Sequence, residues 1–120
     1  MTDEQFRKSA RLRRRAEFDR VYDSDVFATD NVLVVRGCPN GLEHSRLGIS
    51  VSRKVGGAVV RNRWKRLLRE AFRLSRATIP KGLDLVVRPR RGAQIEFLAI
   101  RESLAKLSGR IAERLKKGRA

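Results

Sequence analysis

The chain has 120 residues, with 29 Lys+Arg against 13 Asp+Glu and a formal net charge of +16. That length suits one compact domain, and so one-sided a charge repels itself and draws polyanions, nucleic acid first and an anionic membrane surface second. One Cys and one His exclude an internal disulfide and a Cys-based zinc site, and the single thiol fits a reducing compartment.

Residues 1–10, MTDEQFRKSA, are polar and mixed in charge. They read as a flexible segment without the apolar stretch of a secretory signal. No apolar run approaches the ~20 residues of a membrane helix, so a soluble cytoplasmic protein with one domain at 11–117 is expected. The spacing of Leu12, Ala16, Phe18, Val21 and Tyr22 predicts a helix over 11–22. Phe18 and Tyr22, four apart, share a face, flanked by Arg11, Arg14 and Arg15. DSDVFATD reads as a loop, and the β-branched NVLVVRG (31–37) as a strand. Pro39-Asn40-Gly41 makes a turn. In RLGISVSR (46–53), Leu47, Ile49 and Val51 alternate with Gly48, Ser50 and Ser52, the period of a half-buried strand. Together the two strands read as a hairpin with a long loop.

Gly56-Gly57 breaks the chain, and a helix is predicted over 58–76. Val60, Trp64, Leu67, Leu68, Ala71 and Leu74 fall on one stripe, with Arg61, Asn62, Lys65, Arg66, Arg69, Arg73 and Arg76 on the other side. Glu70, four residues after Arg66, offers one local ion pair. Phe72 lies at the edge of the basic arc, open between core and RNA. LDLVVRP (83–89) reads as a third strand, and Phe97, Ile100, Leu104, Leu107, Ile111 and Leu115 give a last helix over 94–117 its core stripe. The order αββαβα describes an α+β domain with a small central sheet carrying helices.

No catalytic constellation is visible. His44 reads as an exposed turn residue, and the acids are scattered, with pairs such as Asp3/Glu4 in segments too loose for a two-metal site. The basic helix is different. A solvated helix surface usually alternates signs, whereas this one is nearly unipolar, which points to phosphate. Asn62 adds a neutral donor and acceptor suited to a phosphate, a sugar hydroxyl or a metal-bound water, and Gly56-Gly57 lets an anion approach a helix start. Phe18 and Tyr22 fit core packing or, alternatively, a platform on which unpaired bases stack. In the second case Ser50 and Ser52 would supply small polar walls.

The stretch LGISVSRKVGGAVVRNRWKRLLREAFR resembles the signature of the bacterial ribonuclease P protein subunit, with its Arg61-Asn62-Arg63 element, Lys65-Arg66 and Arg69-Glu70. RLRRRAEFDRVY and LDLVVRP sit where that family has its first helix and third strand, so the resemblance spans 11–117. It implies an αββαβα fold with a left-handed βαβ crossover, like the second domain of ribosomal protein S5. It implies a protein subunit that assists a catalytic RNA in removing the 5′ leader of precursor tRNA. The RNA and Mg²⁺ would do the chemistry, and no membrane or obligatory protein partner is implied. Carried over residue by residue, the RNA-subunit surface is Arg61, Asn62, Arg63, Lys65, Arg66, Arg69 and Arg73, with Asn62 indirectly near metal. The leader cleft is Phe18, Tyr22, Arg14, Arg15, Arg36, Ser50, Ser52, Arg53 and Lys54. One departure stands out: some relatives place an aromatic from the first strand in this cleft, and VLVVR has none. A ribosomal-protein-like RNA binder fits the composition equally well, and a protein-only nuclease is a third reading.

Overall fold

The structure, a computed structural model, describes residues 10–118. Of the segment expected to be flexible, residues 1–9 lie outside the described residues, and Ala10 is buried. The elements are α1 (Arg15–Ser24), β1 (Phe27–Thr29), β2 (Leu33–Pro39), β3 (Arg46–Ile49), α2 (Ala58–Leu74), β4 (Leu83–Pro89) and α3 (Phe97–Gly118). A 3-10 turn at Arg53–Val55 leads into α2. The αββαβα order holds with one addition, the short edge strand β1 inside the segment expected to be a loop.

The sheet order is β1-β2-β4-β3, and this corrects the expected hairpin, because β4 lies between β2 and β3. Residues 40–45 step over the start of β4, a sideways distance of roughly 10 Å. The Asn40 amide anchors that step by donating to the Gly82 carbonyl at 2.9 Å. β3 pairs with β4 in parallel, from Arg46↔Asp84 to Ile49↔Val87. Parallel neighbours need a crossover, and α2 supplies it. β2 and β4 run antiparallel, from Leu33↔Pro89 to Pro39↔Leu83. β4 is buried from Leu83 to Val87, as a strand covered on both faces must be.

One face of the sheet carries α2 and α3. Leu33, Val35, Leu85 and Val87 meet Trp64, Leu68, Ala71 and Phe72 from α2 and Ile100, Leu104, Leu107 and Ile111 from α3. Phe72, 2% exposed, is thereby a core residue. The α2 stripe turns toward it and leaves Val60 and Leu74, expected inside, exposed. α3 approaches β2 closely at Gly37, where an added Cβ would lie 2.7 Å from Ile111 Cγ2. The other face holds a smaller cluster of Leu12, Val21, Cys38 and Val86 with Phe18 against it. Cys38 is a buried free thiol, pushed above its ordinary pKa by burial.

Two helix starts differ from expectation for local reasons. α1 begins at Arg15 instead of Arg11 because Leu12 is drawn into extended pairing, its amide donating to Leu47 O at 3.0 Å. Glu17 Oε1 then accepts from the Arg13 and Arg14 amides at 2.8 and 2.9 Å and closes the helix start. α3 begins at Phe97 because Glu96 accepts from the Ala99 amide at 2.9 Å. No helix among the described residues is long and apolar enough to cross a membrane.

Candidate nucleic-acid interface

Strand alternation sorts the side chains of the α1 face. Leu83, Leu85 and Val87 point to the helical layer, so Asp84, Val86 and Arg88 point to the α1 side. Register adds their neighbours: Arg36 beside Val86, Val34 beside Arg88, and Gly48 beside Val86 on the far edge. α1 covers only part of this face. Phe18, half-buried, lies on Gly48, where an added Cβ would fall 2.7 Å from Phe18 Cζ. Phe18 is therefore both a packing residue and the floor of an opening.

Beyond α1 the face is open. Tyr22 is 40% exposed and Phe27 44% exposed. The Arg36 guanidinium carbon lies 5.5 Å from the Tyr22 ring centroid and 5.4 Å from that of Phe27. Each such contact contributes on the order of 0.5–1 kcal/mol when exposed. The aromatic missing from VLVVR is thus supplied by the preceding strand at the sheet edge, since Phe27 of β1 is in register with Arg36. Nothing in the sequence marks Phe27, because a three-residue edge strand is too short to show a period. Arg88 was legible: counting by twos along LDLVVRP puts Leu83, Leu85 and Val87 on the core side, so Asp84, Val86 and Arg88 fall on this face.

Ser50 remains half-buried at the end of β3, its amide donating to Val87 O at 3.0 Å. Ser52 has a different task from a plain wall, since its hydroxyl accepts from the Lys54 amide at 3.3 Å and caps the 3-10 turn. Ser52 and Lys54 line a cavity of about 610 Å³ with Trp64, Arg88, Arg90 and Arg91. Arg53 is exposed beside it. Arg14 and Arg15 are solvent-exposed on the first turn of α1, and Arg15 meets Asp19 at 3.9 Å, a pair worth little at such exposure.

On α2, Asn62, Arg63 and Arg66 are exposed, and Arg61, Lys65, Arg69 and Arg73 are half-buried. Glu70 pairs with Arg73, at 3.1 and 2.5 Å, and not with Arg66 as the spacing suggested. Arg61 Nε is buried without a hydrogen-bond partner. Arg69 is pushed below its ordinary pKa by burial first and by the charge of Arg11 second. Arg11, Lys65 and Arg69 converge with Phe18 on a crevice of about 140 Å³. The two surfaces that the sequence suggested separately, the basic helix and the aromatic cleft, meet at this crevice.

No three His, Cys, Asp or Glu side chains gather to hold a metal ion among the described residues. Asn62 is flanked in sequence by Arg61 and Arg63, so the local charge repels a cation, and the donors among the described residues do not fit Mg²⁺ as a resident ion.

These features define a class: a small basic α+β protein whose sheet presents an aromatic, arginine-lined cleft next to a cationic helix. Comparison with known proteins gives the family. The family model described as Ribonuclease P matches residues 6–112. The "Ribonuclease P protein component" of Thermotoga petrophila is 42% identical over 113 residues, covering 90% of this chain and 97% of that protein. The solved RNase P protein of Thermotoga maritima superposes with a TM-score of 0.77 at 40% identity, covering 83% of this chain and 96% of that one. That of Staphylococcus aureus does so at 0.75 and 37%, covering 88% and 96%. The chain belongs to the ribonuclease P protein family.

Proposed function

We propose that the chain is the RNA-binding protein subunit of a ribonuclease P ribonucleoprotein and assists a catalytic RNA in removing the 5′ leader of precursor tRNA in the cytoplasm. The observation that carries this reading is the continuity of the α2 cationic surface with the Phe18–Tyr22–Arg36–Phe27 cleft through the Arg11–Lys65–Arg69 crevice. One surface suits a folded RNA and the other a single strand. Arg61, Arg63, Lys65, Arg66 and Arg69 offset the phosphate repulsion between RNA subunit and substrate. Asn62 hydrogen-bonds among those charges without adding one, and only in this indirect way does it stand near RNA-held metal. Tyr22 and Phe27 offer ring faces to unpaired leader bases, and Arg36, Arg53, Lys54 and Arg88 follow the leader phosphates. Mature tRNA lacks the leader, so these contacts favour the precursor over the product. Hydrolysis, with the Mg²⁺ it uses, is left to the RNA subunit.

The test is cleavage of precursor tRNA by a ribonuclease P RNA across a Mg²⁺ series, with and without this protein. Strong stimulation at low Mg²⁺ is expected, and no cleavage by the protein alone. Absence of stimulation at every Mg²⁺ level would refute the reading.

A further inference from the structure

α1 is ten residues long, and Val21 is its one fully buried side chain. A helix this short is marginal in water by itself, and apolar contact is non-directional. Val21 and the half-buried Phe18 hold α1 against the sheet, and Ser24 Oγ, donating to the Gly37 carbonyl at 2.8 Å, ties down its C-terminal end, so the tilt of its N-terminal half is left to other contacts. Yet the tilt decides where Phe18 and Tyr22 stand relative to Arg36.

A polar clasp supplies the direction. Asp84 of β4 has a fully buried side chain. Its Oδ1 accepts from Asn40 Nδ2 at 2.9 Å and from Arg46 Nε at 2.8 Å, and its Oδ2 accepts from Arg46 Nη2 at 2.7 Å. The two-pronged bond fixes the Arg46 guanidinium plane. The remaining nitrogen, Nη1, donates to Glu17 Oε2 at 3.1 Å. Glu17 Oε1 holds the Arg13 and Arg14 amides. Arg20, one turn further along α1, donates to Asp84 Oδ2 and, at 3.2 Å, to the Pro39 carbonyl. The ionic arms therefore reach α1 at Glu17 and Arg20, on either side of Phe18, and all lead back to one carboxylate in the central strand.

We infer that Arg46 is a positioning residue for leader recognition: through Asp84 and Glu17 it fixes the tilt of α1 and with it the width of the cleft. The inference rests on the proposed binding of the leader between α1 and the sheet. Arg46 need touch no RNA to act, because a small displacement of Phe18 and Tyr22 is enough to weaken stacking.

The experiment uses the reconstituted holoenzyme with two precursors, one with a long single-stranded leader and one with a single leader nucleotide. Glu17→Gln keeps an oxygen for the Arg13 and Arg14 amides but removes the charge facing Arg46. Arg46→Lys keeps the charge beside Asp84 but lacks the fork. Each is expected to raise KM for the long-leader precursor about tenfold, with kcat, KM for the short-leader precursor and affinity for the RNA subunit unchanged. Equal losses on both precursors would mean a merely structural role and overturn the inference, as would an unchanged long-leader KM in Glu17→Gln. Phe18→Ala, measured in parallel, separates the two ideas. If it raises the long-leader KM and Glu17→Gln does not, the clasp alone fails. If Phe18→Ala has no leader-dependent effect, the cleft reading fails and the positioning role with it.

Discussion

Asp84→Asn tests how far the fold depends on one buried carboxylate. The side chain is fully buried and accepts from Arg20, Arg46 and Asn40. Asparagine fills the same space but turns one acceptor oxygen into a donor facing donors, and it removes the only negative charge shared by Arg20 and Arg46. Removing one partner of a buried pair costs about 3–5 kcal/mol. The low end applies, because the Arg20 side chain is 48% exposed and swings into water, whereas Arg46 at 19% does not. A loss of about 3 kcal/mol, from a total of roughly 5–15, lowers Tm by on the order of 10 °C in a domain of this size. Urea unfolding at neutral pH followed by circular dichroism measures it. A loss below about 1 kcal/mol would put this network among ordinary surface ion pairs and refute the reasoning.

Acid unfolding follows from four carboxylates whose folded pKa values are depressed, one of them Glu70, lowered chiefly by its hydrogen bond from Arg73. Glu17 is lowered chiefly by the Arg14 and Arg13 amides; in Asp84 burial raises the value, but Arg46 and Asn40 outweigh it; in Asp30 burial is likewise overcome, by the Leu33 and Val32 amides and then Ser103 and Lys106, giving about 2. The folded state holds fewer protons than the unfolded one, so this stability is full above the ordinary values of 3.8 and 4.5 and is lost as pH falls toward 2; a urea midpoint independent of pH across that range would contradict it. Phe27→Ala is expected to weaken binding of a long-leader precursor by about 1–3 kcal/mol, the value of one stacked base, and to leave assembly with the RNA subunit unchanged; equal binding by the variant would remove Phe27 from the cleft. Affinity for the RNA subunit is expected to fall on the order of 10³-fold between roughly 50 and 200 mM salt. Arg63→Ala should lower the slope of that dependence by about 1 and Arg73→Ala by less, because Glu70 already engages Arg73; equal slopes in the two variants would contradict this assignment.

The strongly periodic parts of the fold were legible. LDLVVRP is a strand over Leu83–Pro89, and the amphipathic stretch after Gly57 is a helix from Ala58. Strand partners were not, since alternation says that Leu47 and Ile49 share a face but not which strand lies beside them. Proximity in sequence suggested β2 with β3, and the unbroken burial of β4 is what places it between them. The cleft was half legible for a similar reason. Phe18 and Tyr22 are linked by helical spacing, but Phe27 joins them only through its register with Arg36, a long-range fact with no local trace. The Asp84 clasp was equally hidden, because an Asp inside an apolar run looks like an interruption until Arg20, Arg46 and Asn40 converge on it.

In a chain of +16 the acids distinguish cations tied into the fold from those presented on the surface. Asp84 engages Arg20 and Arg46, Glu17 engages Arg46, Asp30 engages Lys106 and Glu70 engages Arg73. Each of these acids joins two elements or steadies a helix turn. None is paired with Arg63 or Arg66, which lie exposed on the outer side of α2. That side is held in place from beneath by Trp64 and Leu68, buried in the main core. An arginine on a rigid helix loses less freedom on meeting a phosphate than one on a loop. The uneven placement of acids thus gives the protein a neutralised interior frame and a charged exterior, whose self-repulsion is the kind that a bound polyanion relieves.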